Sequence, residues 1–317
     1  MSAATQAVGA DVVERRTVRS GDVELAVFET GPHDAPPVLL VHGYPDTSEV
    51  WSAIVPRLAS DHRVITYDVR GAGASSRPRD LAAYDLARLA DDAAAVIDAC
   101  SPGCAVHVVG HDWGAIQSWE LVTTARADGR VASFSSISGP CLDHVGHWIR
   151  GAARSPRRLA AVLAQVPRSL YIGALRAPGL AERLWPRLAP RWPAVRDRFE
   201  QASCGGVAAT VAADGANGAA LYRQNIARRT RRPRDDAHAR APVQLLVPRR
   251  DRFVSPALAV AAARPWVDQL TVRELDAGHW APRSAPDAVA RAITEHVARV
   301  ERGPRPDVAR PALSNQH

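Results

Sequence analysis

Six short apolar runs, each closed by Gly, Pro or Asp, set the rhythm of the chain: Pro36–Gly43, Arg63–Val69, Ala105–Gly110, Val131–Ser138, Pro242–Val247 and Leu270–Leu275. Runs of this length read as buried strands. Ahead of them, Val23-Glu24-Leu25-Ala26-Val27-Phe28-Glu29 alternates apolar and polar positions, the signature of an antiparallel start to a sheet. Between the runs the period lengthens. Ala115–Thr124 keeps its apolar residues to one helical face, and Leu159–Ala164 also reads as helix. Strands alternating with helices from Pro36 onward predict a largely parallel α/β sheet.

The third apolar run ends in Gly110-His111-Asp112-Trp113-Gly114, which places a carboxylate between two glycines at a strand-to-helix junction. Serine hydrolases of the Gly-x-Ser-x-Gly type carry their nucleophile at such an elbow, where glycines let the strand and helix backbones approach. A carboxylate there attacks saturated carbon bearing a strained or good leaving group, and the product is an alkyl ester of the enzyme. Asp is also a common helix N-cap, so this segment alone leaves both readings open. The first apolar run ends in His42-Gly43-Tyr44-Pro45, a loop suited to donating a backbone N–H to an oxyanion. Tyr44 and Trp113 are the two expected donors, placed to hold charge on the Asp112 carboxyl when water attacks its ester.

Hydrolysis of that ester needs a base and a partner to hold the base in the right tautomer. Asp251 follows the fifth run and His279 the sixth, so nucleophile, acid and base come in the order Asp112, Asp251, His279. Asp251 could instead pair with Arg249, Arg250 or Arg252, and His279 could be an ordinary loop residue. Asp143, just after the fourth run, is a rival for the acid. The glycine-rich stretch Asp68-Val69-Arg70-Gly71-Ala72-Gly73-Ala74-Ser75 lacks Gly-x-Gly-x-x-Gly spacing and the lysine of a phosphate loop; it reads as a tight turn near the rim of the site.

Together, His42-Gly43-Tyr44-Pro45, Asp68–Ser75, Gly110–Gly114, Asp251 and Gly278-His279 resemble the epoxide hydrolases of the α/β-hydrolase superfamily over about Val18 to Val300. The resemblance implies an eight-stranded, mostly parallel sheet flanked by helices. It also implies a helical cap at 140–241, dividing the core into 1–139 and 242–301; the segment 302–317, with three prolines and few large apolar residues, reads as a loose tail. Its cap tyrosines donate to the epoxide oxygen, and the only two tyrosines in this interval are Tyr171 and Tyr222. His42, Pro45, Trp113 and Trp280 are expected to line the substrate site.

The implied reaction converts an epoxide and water to a vicinal diol, with no metal or organic cofactor, and a long-chain or lipid-derived epoxide fits the resemblance. Two alternatives remain. Haloalkane-type dehalogenases share the Asp nucleophile but commonly have Asn where this chain has Tyr44, and the fluoroacetate type has Arg where it has Trp113. The third reading is a non-catalytic, ligand-binding member of the fold.

Composition changes the picture little. The chain has 317 residues, 46% of them hydrophobic, enough for one core with an inserted cap. A formal charge of +7 rests entirely on arginine, and the one dense run is Arg228-Arg229-Thr230-Arg231-Arg232-Pro233-Arg234. No stripe of base-stacking residues accompanies it, so nucleic acid is not an expected partner. The run reads as a solvated loop or as a peripheral contact for anionic lipid headgroups. Cys100, Cys104, Cys141 and Cys204 lack metal-site spacing. Without a targeting or membrane-spanning pattern, the expectation is a cytoplasmic enzyme, membrane-peripheral if the arginine run meets headgroups. Monomer and homodimer are both open.

Overall fold

Strands with no solvent-facing side need apolar residues at every position, and the central strands have them. A computed structural model describes residues 6–8 and 11–303, and in it the chain forms nine strands: β1 (Gln6–Val8), β2 (Asp11–Ser20), β3 (Val23–Thr30), β4 (Pro37–Val41), β5 (Arg63–Tyr67), β6 (Val106–His111), β7 (Val131–Ile137), β8 (Val243–Pro248) and β9 (Leu270–Leu275). Every residue of β6 and β8 is buried, as are Val38–Val41 of β4. Each buried Val or Leu contributes about 1.5–3 kcal/mol, so this contiguous apolar layer is the main store of stability.

The strand order is β1-β2-β3-β5-β4-β6-β7-β8-β9. Pairings from β1 to β5 along that order are antiparallel, and those from β5 to β9 are parallel. Strands β2–β9 make the eight-stranded, mostly parallel sheet that the sequence predicts. The short β1 adds one edge strand to it.

Helices α1 (Val55–Leu58), α2 (Leu86–Cys100), α3 (Trp113–Val122), α10 (Pro256–Ala263), α11 (Ala281–Ser284) and α12 (Pro286–Glu301) belong to the core segments. The α-helices between β7 and β8 are α4 (Leu142–Arg150), α5 (Pro156–Gln165), α6 (Tyr171–Arg176), α7 (Leu180–Leu188), α8 (Trp192–Glu200) and α9 (Val211–Arg231), with non-helical stretches at 201–210 and 232–242. These helices fall in the interval 140–241 where the resemblance places a cap, and the interval is called the cap below. Of the expected tail, residues 304–317 lie outside the described residues.

Two sequence readings are settled by packing. The Asp68–Ser75 turn is structural, since Asp68 accepts from the Ser48 and Ala74 amides at 2.9 and 2.8 Å, and Arg70 is buried against Asp92 at 2.5 Å. The 228–234 arginine run is not a free cationic patch. Arg228 pairs with Asp85, Arg229 meets Glu120 at 2.7 Å, and Arg234 meets Asp143 at 3.0 Å and Glu120 at 3.2 Å. These pairs tie the end of α9 to the core, so most of the run's charge is neutralised within the fold.

Candidate active site

Ligand sites of open parallel sheets lie beyond the carboxyl ends of the strands, and four loops converge there. Asp112 follows β6, Tyr44 follows β4, Asp251 follows β8 and His279 follows β9. Asp112 has φ 53 and ψ −121, a left-handed backbone that a residue with a side chain adopts only where its surroundings enforce it. Close backbone contact does so. A Cβ on Gly114 would sit 2.0 Å from the Val41 carbonyl oxygen, and one on Gly110 would sit 2.5 Å from the Ala115 Cα.

Asp112 occupies the N-cap position of α3, yet its side chain makes no capping bond. Its Oδ1 accepts the Tyr44 N–H at 2.8 Å instead. The N-cap reading of the sequence is therefore set aside. The second expected donor, Trp113, opens α3, where an N–H has no carbonyl within the helix to bond.

His279 lies between two carboxylates. Its Nδ1 is 3.2 and 3.1 Å from the two oxygens of Asp251, and its Nε2 is 3.5 Å from Asp112 Oδ2. Burial alone would push the imidazole down, but Asp251 and Asp112 outweigh it and push the pKa from 6.5 up to about 10. Asp251 is 2% exposed and accepts the Phe253 and Val254 amides at 2.7 and 3.0 Å. Burial would raise its carboxyl, yet the His279 charge and these hydrogen bonds hold it below the usual value.

The rivals for these roles are engaged elsewhere. Asp143 is held by Arg234, and Arg249 and Arg250 pair with Asp276 rather than with Asp251.

Two apolar cavities meet at Asp112. One, of about 250 Å³, is lined by Asp112, His279, Tyr44, Pro45, Trp185 and Trp280 among others. The second, of about 360 Å³, runs past Trp113 toward Ile149, Val166 and Leu170. Asp112, Tyr171, Tyr222 and Phe253 line both. Tyr171 opens α6, while Tyr222 sits within α9 and packs edge-on against Tyr44 at 5.3 Å and Trp113 at 4.9 Å. Burial pushes both phenols well above their usual range, with Asp112 adding to the shift, so both keep their protons at neutral pH.

His42 corrects the sequence expectation of a substrate contact. It is fully buried, lines neither cavity, and accepts the Val69 N–H at Nε2 with 2.9 Å separation. Its imidazole therefore joins the β4 and β5 loops behind the site. Pro45, Trp113 and Trp280 do line the cavities. The Trp113 Nε1 is buried with no hydrogen-bond partner among the described residues.

Glu200 was not legible as a site residue. It ends α8 in the cap, is 1% exposed, and accepts the Gly278 N–H at 2.8 Å and the Trp280 N–H at 2.9 Å. Those amides flank His279, so a cap carboxylate grips the loop that carries the imidazole. Ser284 Oγ adds a third bond at 2.5 Å. No sequence pattern marks an acid at the end of one cap helix as the partner of a loop so distant in the chain. Phe253 was also missed, although an aromatic two residues past Asp251 is a signal of sorts. Its ring lies 4.8 Å from His279.

An Asp elbow, a backbone donor and an imidazole paired with a buried carboxylate, all at the C-terminal edge of this sheet, define a hydrolase-type centre. Residues 36–283 match the family described as alpha/beta hydrolase fold, and the chain belongs to that family. Among curated proteins it is similar to the probable oxidoreductase EphD of Mycobacterium tuberculosis, with 38% identity over 294 residues, 88% of this chain and 48% of that protein. The chain thus spans about half the length of that relative. It is 41% identical to epoxide hydrolase A of the same organism over 128 residues, 40% of this chain and 39% of that one. Among solved structures, an epoxide hydrolase from Bacillus megaterium superposes with a TM-score of 0.72 at 19% identity, covering 90% of this chain and 100% of that one. Epoxide hydrolase VrEH1 from Vigna radiata gives 0.69 at 22%, covering 90% and 98%. At such identities the likeness is one of fold.

Proposed function

We propose that this chain is an epoxide hydrolase working through a covalent ester on Asp112. The observation that carries the reading is the placement of Asp112 Oδ2, 3.5 Å from His279 Nε2, in a carboxylate that lines the same apolar cavities as Tyr171 and Tyr222. The names of the similar epoxide hydrolases support the same class.

In the first step Oδ2 attacks an epoxide carbon, the carbon–oxygen bond breaks, and the departing oxygen takes a proton from Tyr171 or Tyr222. Proton donation matters because an alkoxide expelled into an apolar cavity is strongly disfavoured. Esterification removes the negative charge from Asp112 and with it one of the attractions holding the imidazole protonated. The imidazolium proton then returns to the tyrosinate, which leaves His279 neutral and able to act as a base.

In the second step His279 Nε2 takes a proton from water, and the hydroxide attacks the Asp112 carboxyl carbon. Charge collects on Oδ1, where the Tyr44 N–H already points and the Trp113 N–H lies next in the elbow. Collapse breaks the ester bond, and the diol leaves with the proton held by His279.

Lobes of about 250 and 360 Å³ meeting at Asp112 suit an internal epoxide with an apolar arm on each side. A single turnover in heavy-oxygen water tests the covalent route. The label is expected in the Asp112 carboxylate, and label found only in the first-turnover diol would overturn it.

One observation favours a second reading. The unpartnered, buried Trp113 Nε1 is a donor suited to a departing halide, as in an Asp-nucleophile dehalogenase. A panel of epoxides and haloalkanes assayed with the wild type and Asp112→Ala decides between the two by which leaving group is released.

A further inference from the structure

Nine large apolar side chains are notably exposed among the described residues, and five of them are Ile149, Leu159, Leu163, Val166 and Leu170. Leu159, Leu163, Val166 and Leu170 follow one another at intervals of four, three and four, the spacing of a single helical stripe, through α5 and the turn that leads to α6. Leu163 is 60% and Leu170 69% exposed, so the stripe faces outward and has no partner among the described residues. Contiguous exposed apolar surface of this kind marks an interaction site.

Charge identifies the partner. From Asp143 to Glu182 the chain has no carboxylate side chain between those two residues, but six arginines: Arg150, Arg154, Arg157, Arg158, Arg168 and Arg176. None of the six is ion-paired among the described residues, in contrast to the 228–234 run, although Arg150 donates to the Arg231 carbonyl at 2.7 Å and Arg168 to the Asp251 carbonyl at 2.6 Å, which leaves Arg154, Arg157, Arg158 and Arg176 for an outside partner. Arg154, Arg157 and Arg158 are exposed immediately before Leu159. A second copy of the chain would bring a like-charged face against this one, which opposes self-association. An anionic bilayer accepts both components, taking the leucines below the headgroups and the guanidinium groups among the phosphates.

The stripe is continuous with the site. Ile149, Val166 and Leu170 are exposed and also line the larger cavity, whose inner end is Asp112. We propose that the α5–α6 face of the cap docks on an anionic lipid surface and opens the larger cavity toward it, so that an apolar substrate dissolved in the bilayer reaches Asp112 without crossing water. The docking does not depend on which bond the site breaks, because it rests on surface residues and is read by binding.

Flotation of the full chain with phosphatidylcholine vesicles, with and without phosphatidylglycerol, tests it. Wild-type protein is expected to float with the mixed vesicles only, and added salt should release it. Leu159→Asp with Leu163→Asp, and separately Arg157→Glu with Arg158→Glu, should each weaken partitioning at least about tenfold. These side chains line neither cavity, so both variants should keep the wild-type circular dichroism, melting temperature and turnover of water-dispersed substrate. Arg232→Glu, in the largely paired run, should float like wild type.

Four outcomes would overturn the proposal: wild-type protein that stays in the aqueous fraction at low salt, equal flotation on neutral vesicles, undiminished flotation of both stripe variants, or a wild-type dimer in solution that Leu163→Asp dissociates.

Discussion

The core presents Asp112, Asp251 and His279 from turns at the ends of three parallel strands, whereas the cap presents Tyr171 and Tyr222 from helices packed largely through aromatic edges. In the core, each acting atom is set by hydrogen bonds or backbone strain: φ 53 at Asp112, two amides on Asp251, two carboxylates on His279. In the cap, ring packing sets position, and both tyrosines line the two cavities. Hydrogen bonds hold an atom to a few tenths of an ångström, while edge-on ring contacts tolerate sliding. On the proposed mechanism the core holds the reacting groups rigidly, and the cap adapts to a substrate. Some residues of the helical interval act on the core by the core's own means: Glu200 on the His279 loop, and Gln165 and Arg168 on the loop that carries Asp251.

The comparison predicts a ranking. Asp112→Asn, which leaves the elbow backbone intact, should lower turnover by roughly ten-thousandfold or more, measured as diol formed per enzyme. His279→Gln should lower it by about a thousandfold and, unlike the first variant, accumulate an enzyme–substrate adduct visible by intact mass spectrometry. An adduct-free His279→Gln enzyme that still binds substrate would break the division of roles between nucleophile and base.

Tyr171→Phe and Tyr222→Phe should each cost about tenfold to a hundredfold in kcat/KM on epoxides. Removing both should cost far more than either alone, because one donor partly substitutes for the other. If the single variants prove as damaging as the loss of Asp112, the cap is as rigid as the core and the contrast fails.

Glu200→Gln keeps one acceptor but turns an NH₂ group toward a buried amide. It should lower stability by about 1–3 kcal/mol in urea unfolding. If Glu200 positions His279, the kcat–pH profile should shift as well, which a purely structural loss would not produce.

The last expected effect is on the pH dependence of stability. His279 rises from 6.5 to about 10 on folding, so its stabilising contribution is complete below about pH 6.5 and is lost as pH climbs toward about 10. Asp112→Asn removes one of the two carboxylates, and melting curves of that variant should fall less steeply across the same window.

Much of the site was legible because strand ends carry it. Asp112, Asp251 and His279 each follow a compact apolar run, and glycines at 110 and 114 announce the close approach that the elbow needs. Local chemistry sufficed there. The same logic misplaced His42, which belongs to the His-Gly-Tyr-Pro loop but turns inward to the Val69 amide, a choice made by the neighbouring strand's loop. It also left the 228–234 arginines as an exposed run, because Asp85, Glu120 and Asp143 come from elements far away in sequence. The exposed leucines of α5 read as ordinary helix, since periodicity reports a face without saying whether anything covers it.

By itself, the order of residues determined the alternation of strands and helices, the parallel sheet, and the three groups that occupy its edge. Each of these is encoded within a window of a few residues, through burial, turn geometry and the absence of a side chain. Only the tertiary structure decided that the Asp112 side chain meets Tyr44 N–H rather than capping its helix, that two apolar lobes join at that carboxylate, and that Glu200 clasps the His279 loop. Those contacts join residues far apart along the chain, so the energy that selects them exists only once the sheet and the cap have come together.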